Sequence, residues 1–152
     1  MIRKATITDA KKIRSLIQFW AKKGKVLDRS LNYIYENIRD FWIYQEKNKV
    51  IGCCALHVVG WDNLAEIKAL VVNENYHRKG VGDKLVIKCL KEAGQLQITA
   101  VFALTFVPEF FKKIGFRKTS RNKLPHKIWS DCVNCNSFPD CNEEAMIFKL
   151  RR

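Results

Sequence analysis

The sequence predicts a mixed α/β domain, one sheet with helices packed on its faces. Three observations predict it. Apolar residues switch repeatedly between helical and extended spacing, two glycines stand where a strand hands over to a helix, and 47% hydrophobic residues with only 7 Gly and 3 Pro suffice to fill a core. At 152 residues the chain has the common size of one domain, so residues 1–152 are read as one unit without linker or internal repeat. Disorder and collagen-like repeats are excluded by the same composition. No apolar run approaches the roughly 20 residues of a membrane helix, and Met1-Ile2-Arg3-Lys4 opens no signal-peptide core. A soluble cytoplasmic protein that engages no membrane is expected.

Ile2 to Thr8 reads as a strand, and Thr8 or Asp9 can cap a helix carrying Ile13, Leu16, Ile17 and Trp20 at helical spacing, ended by Gly24. Ser30 caps a second helix with Leu31, Ile34 and Ile38 on one face. Phe41-Trp42-Ile43-Tyr44 is extended, turns at Lys47-Asn48-Lys49, and returns through Val50 to Val59. After a turn at Gly60 to Asn63, a strand spans Leu64 to Val72, followed by a charged loop and a helix from about Gly80 to Gly94. Ile98 to Thr105 reads as a buried strand, Pro108 to Ile114 as a helix stopped by Gly115, and Ala145 to Leu150 as the last strand.

Chemistry concentrates in Val71-Val72-Asn73-Glu74-Asn75-Tyr76-His77-Arg78-Lys79-Gly80-Val81-Gly82. Glycines let a backbone approach an anion, the N–H groups of a first helical turn point at it, and neighbouring cations add attraction. The stretch therefore reads as a phosphate cradle. Together with Glu66-Ile67-Lys68-Ala69-Leu70 before it and Phe110-Phe111-Lys112-Lys113-Ile114-Gly115-Phe116 after it, it resembles the GNAT N-acetyltransferase superfamily over nearly the whole chain. The resemblance implies a GNAT fold, a central, mostly antiparallel mixed sheet flanked by helices, with splayed strands that hold acetyl-CoA.

In that family Gln/Arg-x-x-Gly-x-Gly/Ala binds the pyrophosphate, and the pattern falls on His77, Arg78, Lys79, Gly80, Val81 and Gly82, with His77 departing from the usual Gln or Arg. The resemblance further implies that Leu70, Val71 and Val72 offer backbone groups to the pantetheine arm and thioester. It places Leu104 and Thr105 on the splayed strand, and Asp83 and Phe111 in the cofactor-binding set. Leu27-Asp28-Arg29-Ser30, Trp61-Asp62-Asn63-Leu64-Ala65-Glu66, Ala103-Leu104-Thr105-Phe106-Val107-Pro108-Glu109 and Leu124-Pro125-His126-Lys127-Ile128-Trp129 look like the short, stand-alone bacterial N-acetylglutamate synthases of arginine biosynthesis. That finer resemblance implies L-glutamate as acceptor and places Arg29 where its carboxylate is bound; Ser30 beside it and Lys68, which can hold a carboxylate or tune the base, complete the candidate substrate-binding set.

Acetyl transfer from a thioester to an amine needs a neutral amine and a stabilised oxyanion. By the alternation of a strand, Glu66 and Lys68 share one face, and because many GNAT enzymes use a Glu on this strand to take the ammonium proton, the resemblance makes Glu66 the candidate base, against the alternative of a surface ion pair with Lys68. Many GNAT enzymes carry a Tyr as general acid where this chain has Phe111. A thiol of pKa about 8.5 leaves without a strong proton donor. Other readings are transfer to another small amine or a protein amine, or a non-catalytic regulator binding CoA or nucleic acid.

Cys53, Cys54 and Cys89 lie in apolar stretches and read as small buried hydrophobes. Cys132, Cys135 and Cys141, with His126 upstream, offer a candidate structural zinc site in an insertion at about 121–144, the alternative being free thiols. The formal net charge of +13 points to an anionic partner, whether nucleic acid, a membrane surface or a small ligand carrying phosphates or carboxylates, against the alternative of a solvated basic surface; small-molecule substrates are the expectation. A nucleic-acid partner is disfavoured because no recognised motif accompanies the charge. A homodimer is a further expectation.

Overall fold

A computed structural model of the chain describes residues 1–59, 63–120 and 143–150. Seven strands and four α-helices follow in the order β1 (Ile2–Lys4), α1 (Ala10–Ala21), α2 (Leu31–Glu36), β2 (Phe41–Glu46), β3 (Lys49–Val58), β4 (Leu64–Val72), α3 (Val81–Gln95), β5 (Ala100–Thr105), α4 (Pro108–Ile114), β6 (Arg117–Thr119) and β7 (Glu144–Lys149). The chain divides into two compact units, Met1–Leu56 with Ile67–Lys91, and residues 57–66 with 92–152.

In the first unit β1 pairs antiparallel with β2, Ile2 opposite Tyr44 and Lys4 opposite Trp42, and β2 pairs antiparallel with β3. The β2–β3 loop is just Lys47 and Asn48, both at positive φ (49° and 65°), the two-residue turn whose twist matches a hairpin. One sheet face is sealed by α1 and α2: Ala10, Ile13, Ile17 and Ile34 pack with Phe41, Ile43, Cys53, Ala55, Ala69 and Val71. The other face receives α3. A Cβ on Gly52 would stand 3.1 Å from Val81 and 3.2 Å from Leu85, so the helix approaches that strand closely because position 52 has no side chain. Cys54 meets Cys89 with sulfurs 3.6 Å apart. Being covered on both faces, β3 carries an unbroken apolar run instead of an alternating one. All three of these cysteines are reduced and buried, and burial pushes the Cys53 thiol up to about 12.

Asp9 precedes α1 but does not bond its first turn. Its carboxylate turns back to accept the Thr6 N–H (2.7 Å) and both guanidinium nitrogens of Arg3 (2.9 and 3.0 Å). The end of α1 is a Schellman motif on Gly24 at φ 72°, with Gly24 N–H bonded to Ala21 O and Lys25 N–H to Trp20 O.

The second unit contains β5, β7 and β6, with β7 antiparallel to both neighbours. Val59, Leu64, Phe102 and Ala145 form its buried cluster. Gly115 closes α4 at φ 122° by a second Schellman motif, and the residues flanking that motif, Phe111 and Phe116, pack edge to face with centroids 5.0 Å apart.

Several elements differ from expectation. The first strand ends at Lys4 instead of Thr8, because Ile7–Asp9 turns as a 3₁₀ helix held by the Asp9 carboxylate on the Thr6 N–H. Ile38 lies beyond α2, in the 3₁₀ turn Ile38–Asp40. Ile98 closes α3, its N–H bonding Ala93 O, so β5 begins at Ala100. The strand β6 is additional, since three residues of a short charged stretch carry no alternation to read.

Candidate active site

The strand β4 delivers the chain to the glycine-rich segment. After Val72, Asn73 accepts the Asn75 N–H on its side-chain oxygen (2.9 Å) and the Tyr76 N–H on its carbonyl (2.9 Å), which folds Glu74–Tyr76 into a 3₁₀ turn. Arg78 and Gly80 then take positive φ, 63° and 77°, before α3 starts at Val81 and Lys84 N–H makes the bond to Gly80 O. The N–H groups of Val81, Gly82 and Asp83, in the opening turn, have no acceptor one turn back within the helix, and the left-handed residues before them curve the backbone into a nest. Arg78 and Lys79 precede it in the chain, Lys79 with its Nζ over the Tyr76 ring at 5.4 Å, while Lys84 in the first turn of α3 lies with its Nζ 6.0 Å from the Tyr44 ring. Such an arrangement attracts a phosphate group, and the φ of 77° at position 80 favours glycine there.

His77 holds a different position from its neighbours. Its ring lies flat against Trp20 of α1, centroids 5.0 Å apart and planes at 10°, and its Nε2 is 3.1 Å from the Val72 carbonyl. Trp20 Nε1–H donates to the same carbonyl at 2.9 Å. The Val72 carbonyl therefore carries two donors.

A second group of cations gathers at the start of α2. Ser30, the N-cap, accepts the Tyr33 N–H at 3.0 Å, which orients the first turn and its ring. The Arg29 guanidinium sits over that ring at 4.7 Å, and Lys68 Nζ of β4 reaches it at 6.0 Å. Thus Arg29 and Lys68 converge on Tyr33, a residue the sequence reading did not single out. The available signal is its position four residues after Arg29, with aromatic character in a helix whose core contact is Ile34.

Within β4, Ala69 has φ 52°, a left-handed residue inside a strand, so the regular alternation that puts Glu66 and Lys68 on one face is interrupted just after Lys68. Val71 N–H bonds the buried Cys53 sulfur. In the second unit Glu66 is buried, Leu104 is half-buried, and the buried Thr105 accepts the Val107 N–H on Oγ1 at 2.9 Å. Phe111 is buried between Phe110 and Phe116.

Among the described residues no group of three or more His, Cys, Asp or Glu side chains is placed to hold a metal ion. The candidate zinc ligands His126, Cys132, Cys135 and Cys141 lie outside the described residues. No described helix is long and apolar enough to cross a membrane.

A strand leading through an anion nest into a helix, in a mixed α/β fold with a basic rim, defines a protein that holds a phosphate-bearing ligand. The Acetyltransferase (GNAT) family model matches residues 10–116, and the chain belongs to that family of acetyl-CoA-dependent N-acetyltransferases. An uncharacterized N-acetyltransferase of Chlorobaculum tepidum is 38% identical over 149 residues, 98% of this chain and 96% of its own. An amino-acid acetyltransferase of Mycobacterium tuberculosis is 32% identical over 142 residues, 91% of this chain and 79% of its own. The N-acetylglutamate synthase of Neisseria gonorrhoeae, solved with coenzyme A and N-acetyl-glutamate, matches 100% of this chain with a TM-score of 0.91 at 27% identity; this chain spans 35% of that one.

Proposed function

We propose that the protein transfers acetyl from acetyl-CoA to the α-amine of a small acidic amino acid, L-glutamate. The observation that carries the acceptor assignment is the convergence of Arg29 and Lys68 on one ring, two cations suited to an acceptor with two carboxylates. Tyr33 holds both by cation–π attraction, which keeps them near each other despite their like charge. Relatives and neighbours support the same reading, one being an amino-acid acetyltransferase and another a synthase solved with N-acetyl-glutamate.

In this mechanism the nest at Arg78 to Asp83 binds the pyrophosphate of acetyl-CoA, with His77 in the same loop. Backbone groups of Leu70 to Val72 take the pantetheine arm and polarise the thioester oxygen. Of Val72's two backbone groups the N–H is the one left to that role, because its carbonyl already accepts from Trp20 and His77. Arg29 and Lys68 hold the acceptor's carboxylates, with Ser30 fixing the helix start. Glu66 takes the ammonium proton; the amine nitrogen attacks the thioester carbon, a C–N bond forms, the C–S bond breaks and CoA leaves as thiolate, while the second proton of the nitrogen passes to solvent as the amide forms. Phe111 offers no proton, so the thiolate departs on its own acidity.

The test is release of CoA thiol from acetyl-CoA, measured with L-glutamate, L-aspartate, L-glutamine, L-lysine and L-alanine. Glutamate is expected to give the highest kcat/KM. Faster turnover of lysine or alanine than of glutamate overturns the acceptor assignment, and glutamine above glutamate removes the role given to the second cation.

A further inference from the structure

We infer that Trp20 and His77 are positioning residues for the phosphate cradle, a staple through which α1 sets the affinity for acetyl-CoA. The inference rests on the acetyl-CoA reading above. Val72 ends β4 and His77 opens the turn that leads into α3, so the two ends of the loop 72–77 are tied to one carbonyl oxygen. That oxygen accepts Trp20 Nε1–H at 2.9 Å and lies 3.1 Å from His77 Nε2. A carbonyl only accepts, so His77 carries its hydrogen on Nε2 in this arrangement. The rings stack nearly parallel, and each orients the other's donor.

What the staple secures is the residue that follows. Arg78 is a non-glycine at φ 63°, a conformation that persists only where its surroundings over-determine it. Its partner on the sheet side is not local: Trp20 comes from α1, where Phe19 packs edge-on against it at 5.1 Å, and the Schellman bond from Lys25 to Trp20 O fixes its backbone. Removing either ring frees the loop end while leaving Gly80, Val81 and Gly82 chemically unchanged. A nest that must be ordered on binding attracts its anion less tightly than one already formed.

His77 is exposed, so His77→Ala is expected to fold normally; Trp20→Phe keeps a ring in place and deletes only the donor. Two readouts are taken on the protein with and without these changes. In the ligand-free protein, amide hydrogen exchange across residues 73–84 should speed up in both variants. Calorimetric CoA affinity should fall about three- to tenfold in each, the size of one lost hydrogen bond. The loss should appear in KM for acetyl-CoA more than in kcat. The double variant should lose little more than either single one, because both changes open the same staple. His77→Gln, which keeps an N–H donor without the stacked ring, should recover part of the loss.

Unchanged exchange and unchanged CoA affinity in folded variants overturn the staple, as does a fall in kcat with KM constant. If the unaltered protein binds no CoA yet exchange rises in the variants, the staple stands and the acetyl-CoA reading fails instead.

Discussion

At the scale of single residues, the candidate site depends on what each side chain can do that its nearest substitute cannot. Arg29 over the Tyr33 ring presents a planar fork that grips a carboxylate with two parallel bonds, which an ammonium cannot reproduce. Arg29→Lys should raise KM for glutamate about tenfold or more, with KM for acetyl-CoA nearly constant. Tyr33→Leu should do the same more weakly, by removing the platform beneath both cations. Steady-state kinetics with each substrate varied in turn decides it, and equal effects on both substrates contradict the assignment. Glu66 is buried in β4, and an amino acid's ammonium is mostly protonated at neutral pH, so a proton acceptor is needed on the amine's path. Glu66→Gln should retain CoA binding and lower turnover by roughly two to four orders of magnitude, with partial recovery at high pH. Turnover near the unaltered level across the pH range assigns the proton to another acceptor.

At the scale of elements, much of the architecture is legible in the sequence because its punctuation is chemical. Gly24 and Gly115 each occupy the left-handed position of a Schellman motif, and Pro108 opens α4, so those ends follow from residue type. The boundaries of β4, Leu64 to Val72, match the expected strand. The third such helix end is silent in the sequence. Gln97, at φ 63°, holds the left-handed position after α3, with its N–H on Gly94 O and that of Ile98 on Ala93 O, yet glutamine announces nothing of the kind. The contacts of Trp20 with Val72 and of Lys68 with Tyr33 are silent for another reason, since they join residues distant in the chain and no local pattern encodes them. Gln97 also yields a prediction. A side chain there is strained, so Gln97→Gly should stabilise the protein by about 0.5–1 kcal/mol in urea unfolding. The entry to α1 yields another. Hydrogen bonds from the Arg3 guanidinium, then from the Thr6 N–H, hold the Asp9 carboxyl below its usual range, while burial opposes them. A lowered folded value means the stability is present above the unfolded value of about 3.9 and is lost as pH falls through the folded one. Asp9→Asn should therefore cost about 1–3 kcal/mol at pH 7, with the gap to the unaltered protein narrowing only as pH falls below the unfolded value and through the lower folded one.

At the scale of the whole molecule, the formal net charge is +13 and both proposed substrates are anions. A field of one sign raises the local concentration of an oppositely charged ligand and speeds its encounter, and salt screens that field over a length of about 10 Å at 0.1 M. Contacts within the nest act at shorter range than this and are less exposed to screening. The two contributions can therefore be separated by ionic strength. Raising sodium chloride from about 0.02 to 0.2 M should lower kcat/KM for acetyl-CoA several-fold while kcat at saturating substrate changes little, because encounter is weakened and the bound geometry is not. Glutamate, carrying fewer negative charges than acetyl-CoA, should show the smaller dependence. If kcat/KM is indifferent to salt, the excess of Lys and Arg does not steer substrate, and recognition of both anions rests on the short-range contacts at Arg29, Lys68 and the start of α3.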